Sequence, residues 1–442
     1  MELTYEKVKS IILAVLVVLS VILTWNLWSY HPNVEEFENR NTIQEVAFSP
    51  KKEMKEIVKI DQTIFHMDSK YFGTVSSEKM DKMMSVIKNW KFTDFDNIPF
   101  AQIDVASIVE DRDNVQILYP GEISSELFAS IYQIEGKNLP QFSFNQILID
   151  FRISEGEHGT VYFISQEDKQ VYSSHVLASS INHFKNEFME EEKQYDQFFS
   201  LTTGTGQKIY LPENETELVN NQYLTKTNVE ADQLMNALFS NPSLVQKNFI
   251  STGVEYKDGQ NLMRENNETH MITYIDPSEA ENENKETNED LLKQSIDFVN
   301  NHGGWTDNYR FVRFDKAKRT LHFQIYGPDG YPVFGENSPI SNMEIEWSSA
   351  GISRYYRNNF SLGLLTLKSV KTIESGHAAL EKIQQRENYN PDLLEDIKIG
   401  YKMKMNVQTL LLSLEPSWFY LYDGEWYPLA SNEIGGEQIG LE

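Results

Sequence analysis

The chain has 442 residues and a formal net charge of −27, and it contains no cysteine. The lack of cysteine excludes disulfides, thiolate-bound zinc or haem, and a thiol nucleophile, while the negative charge disfavours nucleic acid and anionic lipid headgroups as partners. Aromatic residues make up 12% of the sequence, which is enough to fill buried cores. The composition therefore predicts folded domains, and the length predicts two or three of them.

The N-terminal region contains one long apolar segment, residues 10–28, without a charged side chain. Its length is that of a helix that crosses a hydrocarbon core of roughly 30 Å. Lysines precede the segment and glutamates follow it, so the positive-inside rule places the N-terminus in the cytoplasm and the bulk of the chain outside. We therefore predict a cytoplasmic N-terminus (1–9), a single transmembrane helix in the cell membrane (10–28) and a stalk (29–45).

The two ends of this segment carry side chains that suit the membrane interfaces, where aromatic rings and amines are enriched. The predicted interface anchors are Tyr5, Lys7, Lys9, Trp25, Trp28 and Tyr30. A cleaved signal peptide is the main alternative, but cleavage needs a small-x-small site after a short apolar region. Here the apolar run leads instead into Thr24-Trp25-Asn26-Leu27-Trp28, which favours an uncleaved anchor.

One face of the same segment is a candidate contact surface for a partner helix. Mostly small or β-branched residues recur there at spacings of three and four, namely Ser10, Ala14, Val17, Val21 and Thr24. Interfaces between membrane helices favour such residues because they let the backbones approach closely. The opposite face carries bulky residues such as Leu13, Leu16 and Leu19. Chance patterning in a generic anchor is the alternative, and the residues alone leave both interpretations open.

The first predicted ectodomain unit spans residues 46–200. Its helical candidates are Met54–Ile60, Ser77–Trp90 and His175–Glu192. Its strand candidates are Val115–Tyr119, Gln146–Ile153 and Thr160–Ser165, with a hairpin turn between the last two.

The second unit spans residues 201–365 and mixes hairpins with two helices. The predicted helices are Val229–Phe239, capped by Asn228, and Leu291–Asn301, ended by Gly303-Gly304. A hairpin turns on Lys257-Asp258-Gly259, and an acidic loop covers residues 276–290. A meander is predicted from Tyr309–Phe314, Thr320–Tyr326 and Tyr331–Phe334.

The third unit spans residues 366–442 and combines one helix with hairpin strands. The helix is Gly376–Gln385, with Ser375 as its N-cap. The strands are Ile397–Met405, Thr409–Leu414 and Trp418–Tyr422, followed by a turn at Asp423-Gly424. Because the predicted strands cluster in antiparallel runs with helices between them, the fold class is α+β: multidomain antiparallel sheets with packed helices, behind one transmembrane helix.

Three sequence features resemble those of the YycH (WalH) family, which comprises membrane-anchored accessory proteins of the YycG/WalK histidine kinase in low-GC Gram-positive bacteria. They are the anchor end Trp25–Trp28 (WNLW), the turn Gly327–Phe334 (GPDGYPVF) and the segment Leu414–Phe419 (LEPSWF). The resemblance implies a three-domain ectodomain whose last two units are similar to the sister protein YycI. It also implies control of the kinase, in cooperation with YycI, through contacts between transmembrane helices. The sign of that control is not implied.

A search for catalytic and metal-binding patterns favours a non-enzymatic protein without a cofactor. His183 and Glu187 lie four residues apart on a predicted helix, with His175 two turns earlier, but a His-Glu-x-x-His motif is missing and surface side chains are the favoured interpretation. Gly204-Thr205-Gly206 lacks the Gly-Lys-Ser/Thr of a phosphate-binding loop and is interpreted as a turn. No Gly-x-Ser-x-Gly nucleophile elbow occurs either.

Two further features can be read as ligand sites. The acidic loop Glu279–Asp290 offers oxygen ligands for calcium but lacks the spacing of an EF-hand, so a solvated loop is favoured. The aromatic residues near the C-terminus could form an exposed platform that binds a ligand, but we expect most of them to build a core. They are Trp418, Tyr420, Tyr422, Trp426 and Tyr427. The sequence thus predicts a membrane-anchored regulator of a histidine kinase. The alternative is an envelope module that binds a wall polymer or peptide, and a homodimer is left open.

Overall fold

The computed structural model describes residue 13 and residues 16–20, 50–99, 113–136, 139–152, 157–189, 194–227, 231–277, 288–336, 339–349, 351–406 and 409–429. The chain divides into two compact units, residues 1–44 and 45–442. In the first unit, residue 13 and residues 16–20 are helical and exposed. Within the described part of the chain, no helix has both the length and the apolar character needed to cross a membrane.

The second unit begins with a ten-stranded sheet in the order β10-β9-β2-β1-β4-β6-β7-β8-β3-β5. Its strands are β1 Gln62–Met67, β2 Lys70–Thr74, β3 Lys91–Ile98, β4 Asn114–Ser124, β5 Gln133–Ile134, β6 Ser143–Asp150, β7 His158–Ser165, β8 Gln170–Leu177, β9 Asp196–Thr202 and β10 Lys208–Pro212. Its helices are α1 Met54–Ile57, α2 Ser77–Ile87, α3 Ser125–Ile131 and α4 Ala178–Phe188.

Helices α2 and α4 form because apolar residues recur at helical spacing and give each helix one buried face. In α2 the buried residues are Met80, Met83 and Ile87, and in α4 they are Ile181, Phe184 and Phe188. These faces join a core rich in aromatic rings, which stabilises the sheet by removing large apolar areas from water.

An eight-stranded antiparallel sheet follows, in the order β12-β13-β14-β15-β20-β19-β17-β16. Its strands are β12 Gln246–Ile250, β13 Gly253–Lys257, β14 Leu262–Asn266, β15 Met271–Ile275, β16 Tyr309–Asp315, β17 Thr320–Ile325, β19 Asn342–Ser348 and β20 Gly351–Asn358. It is accompanied by α5 Ala231–Leu238 and α6 Asn288–Asn301. Helix α6 ends at the predicted glycine pair, where the Gly304 amide donates to the Val299 carbonyl at 2.8 Å.

The third sheet has six strands: β11 Thr216–Thr227, β18 Val333–Gly335, β21 Phe360–Ile373, β22 Leu394–Asn406, β23 Leu411–Tyr422 and β24 Glu425–Pro428. The order is β18-β22-β23-β11-β21, and β24 also pairs with β23. Helix α7, Gly376–Gln384, packs beside this sheet, and its predicted cap is confirmed because the Ser375 hydroxyl accepts from the Ala378 amide at 3.3 Å.

The predicted α+β class is confirmed, with sheets dominating and few helices among the described residues. The hairpin on Lys257-Asp258-Gly259 is also confirmed, since β13 pairs antiparallel with β14. The predicted domain boundaries after residues 200 and 365 fall within β9 and β21. The division of residues 46–442 into three domains, and their place outside the membrane, stay predictions.

Three local predictions were wrong. The helix predicted from His175 begins only at Ala178. Strand β8 continues to Leu177 because Val176 is buried in the hydrophobic core. The third strand of the predicted meander, Val333–Gly335, leaves the eight-stranded sheet and pairs in parallel with β22. The last two predicted long strands are one strand, β23, which continues through Pro416.

Candidate functional site

The three sheets meet at a partly buried network of charged and hydroxyl side chains, which we call the junction. Asp61, next to β1, accepts a hydrogen bond from the Tyr326 hydroxyl at 2.9 Å and one from the Lys398 ammonium at 2.8 Å. Tyr326 follows β17, and Lys398 belongs to β22. Asp396 is a second carboxylate partner of Lys398, at 3.1 Å. Each of the three sheets therefore contributes at least one member of the same network.

Burial and charge compete in the junction. Burial alone would raise the pKa of Asp61, but Lys398, Tyr326 and Arg310 together lower it below its usual range. Burial works against the charge on Lys398, yet Asp396 and Asp61 raise the pKa of that ammonium well above its usual value. The pKa of Asp396 is raised by burial in spite of the same cation. We conclude that Asp61 and Lys398 form the charged centre.

Arg310 clamps the ten-stranded sheet onto the eight-stranded sheet beside this centre. Its guanidinium donates to the Ile60 carbonyl at 3.1 Å and to the Ser77 hydroxyl at 2.6 Å. The same group lies 4.1 Å from the ring centroid of Tyr326. Ser77 begins α2, and Ile60 lies just before β1. The buried guanidinium of Arg310 therefore holds the start of α2, the entry to β1 and the Tyr326 ring that contacts Asp61.

The turn Gly327–Gly330 joins β17 to β18 and fixes how they enter the junction. Gly330 has a φ of +96°, and a Cβ atom there would lie 2.2 Å from the Val75 carbonyl oxygen. Asp329 accepts a hydrogen bond from the Tyr401 hydroxyl on β22. The turn therefore docks against the ten-stranded sheet on one side and the six-stranded sheet on the other, which explains its glycine and its aspartate.

Two neighbouring cavities lie at the junction. An inner cavity of about 100 Å³ and a cleft of about 930 Å³ share Asn145, Asp396 and Lys398 in their walls. The wall of the inner cavity includes Gln146 and Tyr210. The side-chain amide of Gln146 and the Tyr210 hydroxyl both donate to Oε1 of Gln116, at 2.7 and 2.9 Å. The cleft can hold a polar group the size of a side chain or larger.

Glu122 lies in the cleft wall, and burial favours its protonated form. Its carboxylate accepts from the Ser165 hydroxyl at 2.9 Å, and burial raises its pKa to about 7, with Asp168 adding to the shift and Lys316 opposing it. The second carboxylate oxygen is buried and has no hydrogen-bond partner among the described residues. The carbonyl oxygens of Asn145 and Gln166 are in the same situation. Glu122 and Asn145 belong to the wall of the cleft, and Gln166 belongs to the wall of the inner cavity.

Aromatic rings border the cleft on the six-stranded sheet. Phe334 stacks on Phe419 with ring centroids 4.2 Å apart, and Trp426 lies 5.0 Å from Phe334. Trp418 and Tyr420 are buried, which confirms their predicted place in a core, whereas Trp426 is half-buried and lines the cleft.

The residues predicted from the anchor segment fall mostly beyond the described part of the chain. Val17 lies in the short helical run of the first unit and is exposed. The other predicted partner-helix contacts lie outside the described residues, namely Ser10, Ala14, Val21 and Thr24. The same holds for the interface anchors Tyr5, Lys7, Lys9, Trp25, Trp28 and Tyr30. The structure therefore neither brings these residues together nor separates them.

The histidine and glycine patterns have structural explanations. His183 lies 3.4 Å from Glu187 on the exposed side of α4, whereas His175 lies in β8, so its predicted place on the same helix was wrong. In the described part of the chain, no group of three His, Asp or Glu side chains could hold a metal ion. Residues 204–206 form the predicted turn between β9 and β10. Most of the acidic loop Glu279–Asp290 lies outside the described residues.

Sequence reasoning missed the junction altogether. Asp61 contacts residues 265 and 337 positions further along the chain, and only the folded sheets bring them together. Glu122 carried no local signal because carboxylates are abundant throughout so acidic a sequence. The one usable clue was the Gly-Pro-Asp-Gly turn at 327–330, whose glycines indicate a tight backbone approach.

The fold and junction define an α+β protein of three sheets that contact one another through a polar centre. Known proteins of this kind match along nearly the whole chain. The N-terminal domain of the YycH protein matches residues 6–193, and the C-terminal domain of the YycH protein matches residues 206–433. The chain belongs to the YycH family.

One related sequence and one crystal structure are informative. The Bacillus subtilis (strain 168) protein described as "Two-component system WalR/WalK regulatory protein YycH" is 22% identical, over 99% of both chains. The crystal structure of YycH from Bacillus subtilis covers 88% of this chain and all of its own, with a TM-score of 0.74 at 19% identity. The structural likeness establishes the shared fold.

Proposed function

We propose that this protein is a membrane-anchored, extracytoplasmic regulator of a WalK-type sensor histidine kinase. The observation that carries the proposal is the family match across the chain, together with a relative of equal length that is named as a WalR/WalK regulatory protein. We further propose that it acts without chemistry of its own, in cooperation with a YycI-type protein whose fold its last two units share.

The proposed working element is the anchor segment 10–28. A regulator shifts a kinase between two states when it contacts one state better than the other, and coupling of about 1–3 kcal/mol is typical between sites. A helix face of small residues supplies contacts on that scale. In this proposal Ser10, Ala14, Val17, Val21 and Thr24 contact a transmembrane helix of the kinase.

The test changes the small face and the bulky face of the anchor in matched pairs. The variant Ala14→Phe with Val17→Phe is expected to lose co-purification with the kinase and to alter the output of a WalR-dependent promoter. The control, Leu16→Phe with Leu19→Phe, has the same spacing of three, places two equally large rings on the opposite face and is expected to behave as the unchanged protein. If both pairs act alike, the helix-face proposal is wrong.

A second arm asks whether the anchor is sufficient. Residues 1–45 fused to an unrelated soluble domain are expected to retain regulation of the promoter. If they carry none while the full chain does, regulation resides in the ectodomain and not in the anchor.

The junction cleft favours a second candidate, an envelope module that binds a peptide or polymer. Its buried acceptors and the half-buried Trp426 are the kinds of group that recognise a polar ligand. Cross-linking of the cell wall to the full chain, lost on Trp426→Ala but not on Tyr427→Ala, would support this candidate. Tyr427 is the matched control because it lies on the same strand and is exposed.

A further inference from the structure

Strand β21 forms one edge of the six-stranded sheet. It pairs with β11 along its whole length, and no strand among the described residues pairs with its other side. All eight residues from 363 to 370 are exposed. At roughly 3.3 Å per residue, this run offers about 25 Å of open backbone.

The exposed run is unusually apolar. Leu364 is 72% exposed, Leu367 57% and Val370 67%. Leu224, the cross-strand partner of Leu364 on β11, is also exposed. Large apolar side chains on an unpaired edge are a liability that soluble proteins normally avoid, so this edge is best explained by a partner that covers it.

Bulges, which normally protect an edge strand from pairing, interrupt only part of β21. The pairing with β11 shifts register at two places, where Gly363 and Thr366 are extra residues that bulge. From Leu367 to Ile373 the pairing is continuous, which means that the backbone there keeps the geometry of an ordinary strand. A further strand can therefore add to this regular stretch by main-chain hydrogen bonds.

The charge of the β11–β21 ribbon indicates the partner. Strands β11 and β21 contain three lysines, Lys226, Lys368 and Lys371, and one carboxylate, Glu217, although the whole chain has a net charge of −27. Within the regular stretch, Lys371 is already paired with Glu415 of β23 at 2.9 Å. A second copy of this chain would bring the same three lysines and the same large negative charge, so self-pairing is disfavoured. Carboxylates on the incoming strand would complement the lysines.

We propose that β21 is a docking edge for an extended strand of another protein, in which apolar residues alternate with acidic ones. The apolar side chains of that strand would cover the exposed Leu364 and Leu367, and its carboxylates, on the other face, would meet Lys368. The proposal concerns binding alone and does not depend on the kinase function proposed above.

The test measures binding of fluorescent peptides to the full chain in detergent, by fluorescence anisotropy. The probes are peptides of about ten residues in which valine alternates with glutamate or, in the comparison probe, with lysine. The acidic peptide is expected to bind about tenfold or more tightly than the basic one. N-methylation of alternate backbone amides in the acidic peptide is expected to abolish binding, because strand addition needs those amides.

Variants locate the site. Leu367→Lys is expected to weaken the acidic peptide about tenfold, whereas Leu244→Lys, at an equally exposed leucine away from this sheet, leaves it unchanged. Lys368→Glu is expected to reverse the preference between the two peptides. Its control is Lys257→Glu, at an exposed lysine on β13.

Several outcomes would overturn the proposal. Equal binding of the acidic and basic peptides, or unchanged binding after Leu367→Lys, contradicts it directly. A concentration-dependent dimer in sedimentation that Leu367→Lys abolishes would identify a second copy as the occupant instead. Binding to phosphatidylglycerol vesicles that the same variant abolishes would identify the bilayer.

Discussion

Replacing Glu122 by glutamine tests the description of the cleft wall. Burial raises the pKa of Glu122 from 4.5 to about 7, so the folded protein binds a proton there that the unfolded chain releases. The folded pKa lies above the unfolded one. The resulting stability is therefore complete below pH 4.5 and is lost as the pH rises through 7. The full shift corresponds to about 3 kcal/mol, and partial exposure of the side chain reduces this to about 1–3 kcal/mol.

Glutamine keeps an oxygen that can accept from Ser165 but does not ionise. The unfolding free energy of Glu122→Gln relative to the unchanged protein is therefore expected to rise by about 1–3 kcal/mol between pH 4.5 and pH 8. Urea unfolding of the full chain, followed by tryptophan fluorescence across this range, measures the difference. The control is Glu157→Gln, at an exposed glutamate of the same sheet region. A difference for Glu122→Gln that stays constant with pH would refute the proposed burial.

Two further predictions concern the junction and its turn. Lys398→Met leaves largely buried carboxylates without their cation and is expected to lower the unfolding free energy, measured in urea, by about 3–5 kcal/mol. The control, Lys382→Met, removes a lysine from a more exposed ion pair and is expected to cost about 0–1 kcal/mol. Similar losses for the two variants would contradict the central role of Lys398. Gly330→Ala combines a positive φ with a clash, whereas Gly424→Ala has a positive φ of +77° and open space. The first is expected to lower the melting temperature in calorimetry clearly more than the second, and equal shifts would show that the clash is relieved.

The elements that could be predicted from the sequence are those with strong local signals. The Ser375 cap, the glycine pair after α6 and the Asp-Gly turns each act within a few residues, and the structure has them where they were predicted. Strand β8 was misread in part because its buried positions include Ser173 and Ser174, which give no apolar alternation. Local patterns also could not assign Val333–Gly335 to its sheet, since that depends on which distant edge is open.

The candidate site was less predictable than the fold, for a related reason. Lys398 becomes significant at the junction only because Asp61, 337 residues earlier in the chain, joins its neighbour Asp396 beside it, and a single sequence does not show such an encounter. Strand β21 shows the opposite case. Its residues are ordinary strand formers, and they become a candidate binding site only because the strand lies at an open edge of its sheet.

The two ranges that match the family domains contribute strands to the same ten-stranded sheet. Residues 194–205 fall between the two matches, and they contain β9, which pairs with β2 on one side and β10 on the other. Strand β10 lies within the C-terminal match, yet it completes the ten-stranded sheet of the N-terminal one. Gly376, at the start of α7, packs against Leu211 of that strand. The domains are therefore joined by a common sheet and not by a linker, and the polar junction lies beside that sheet.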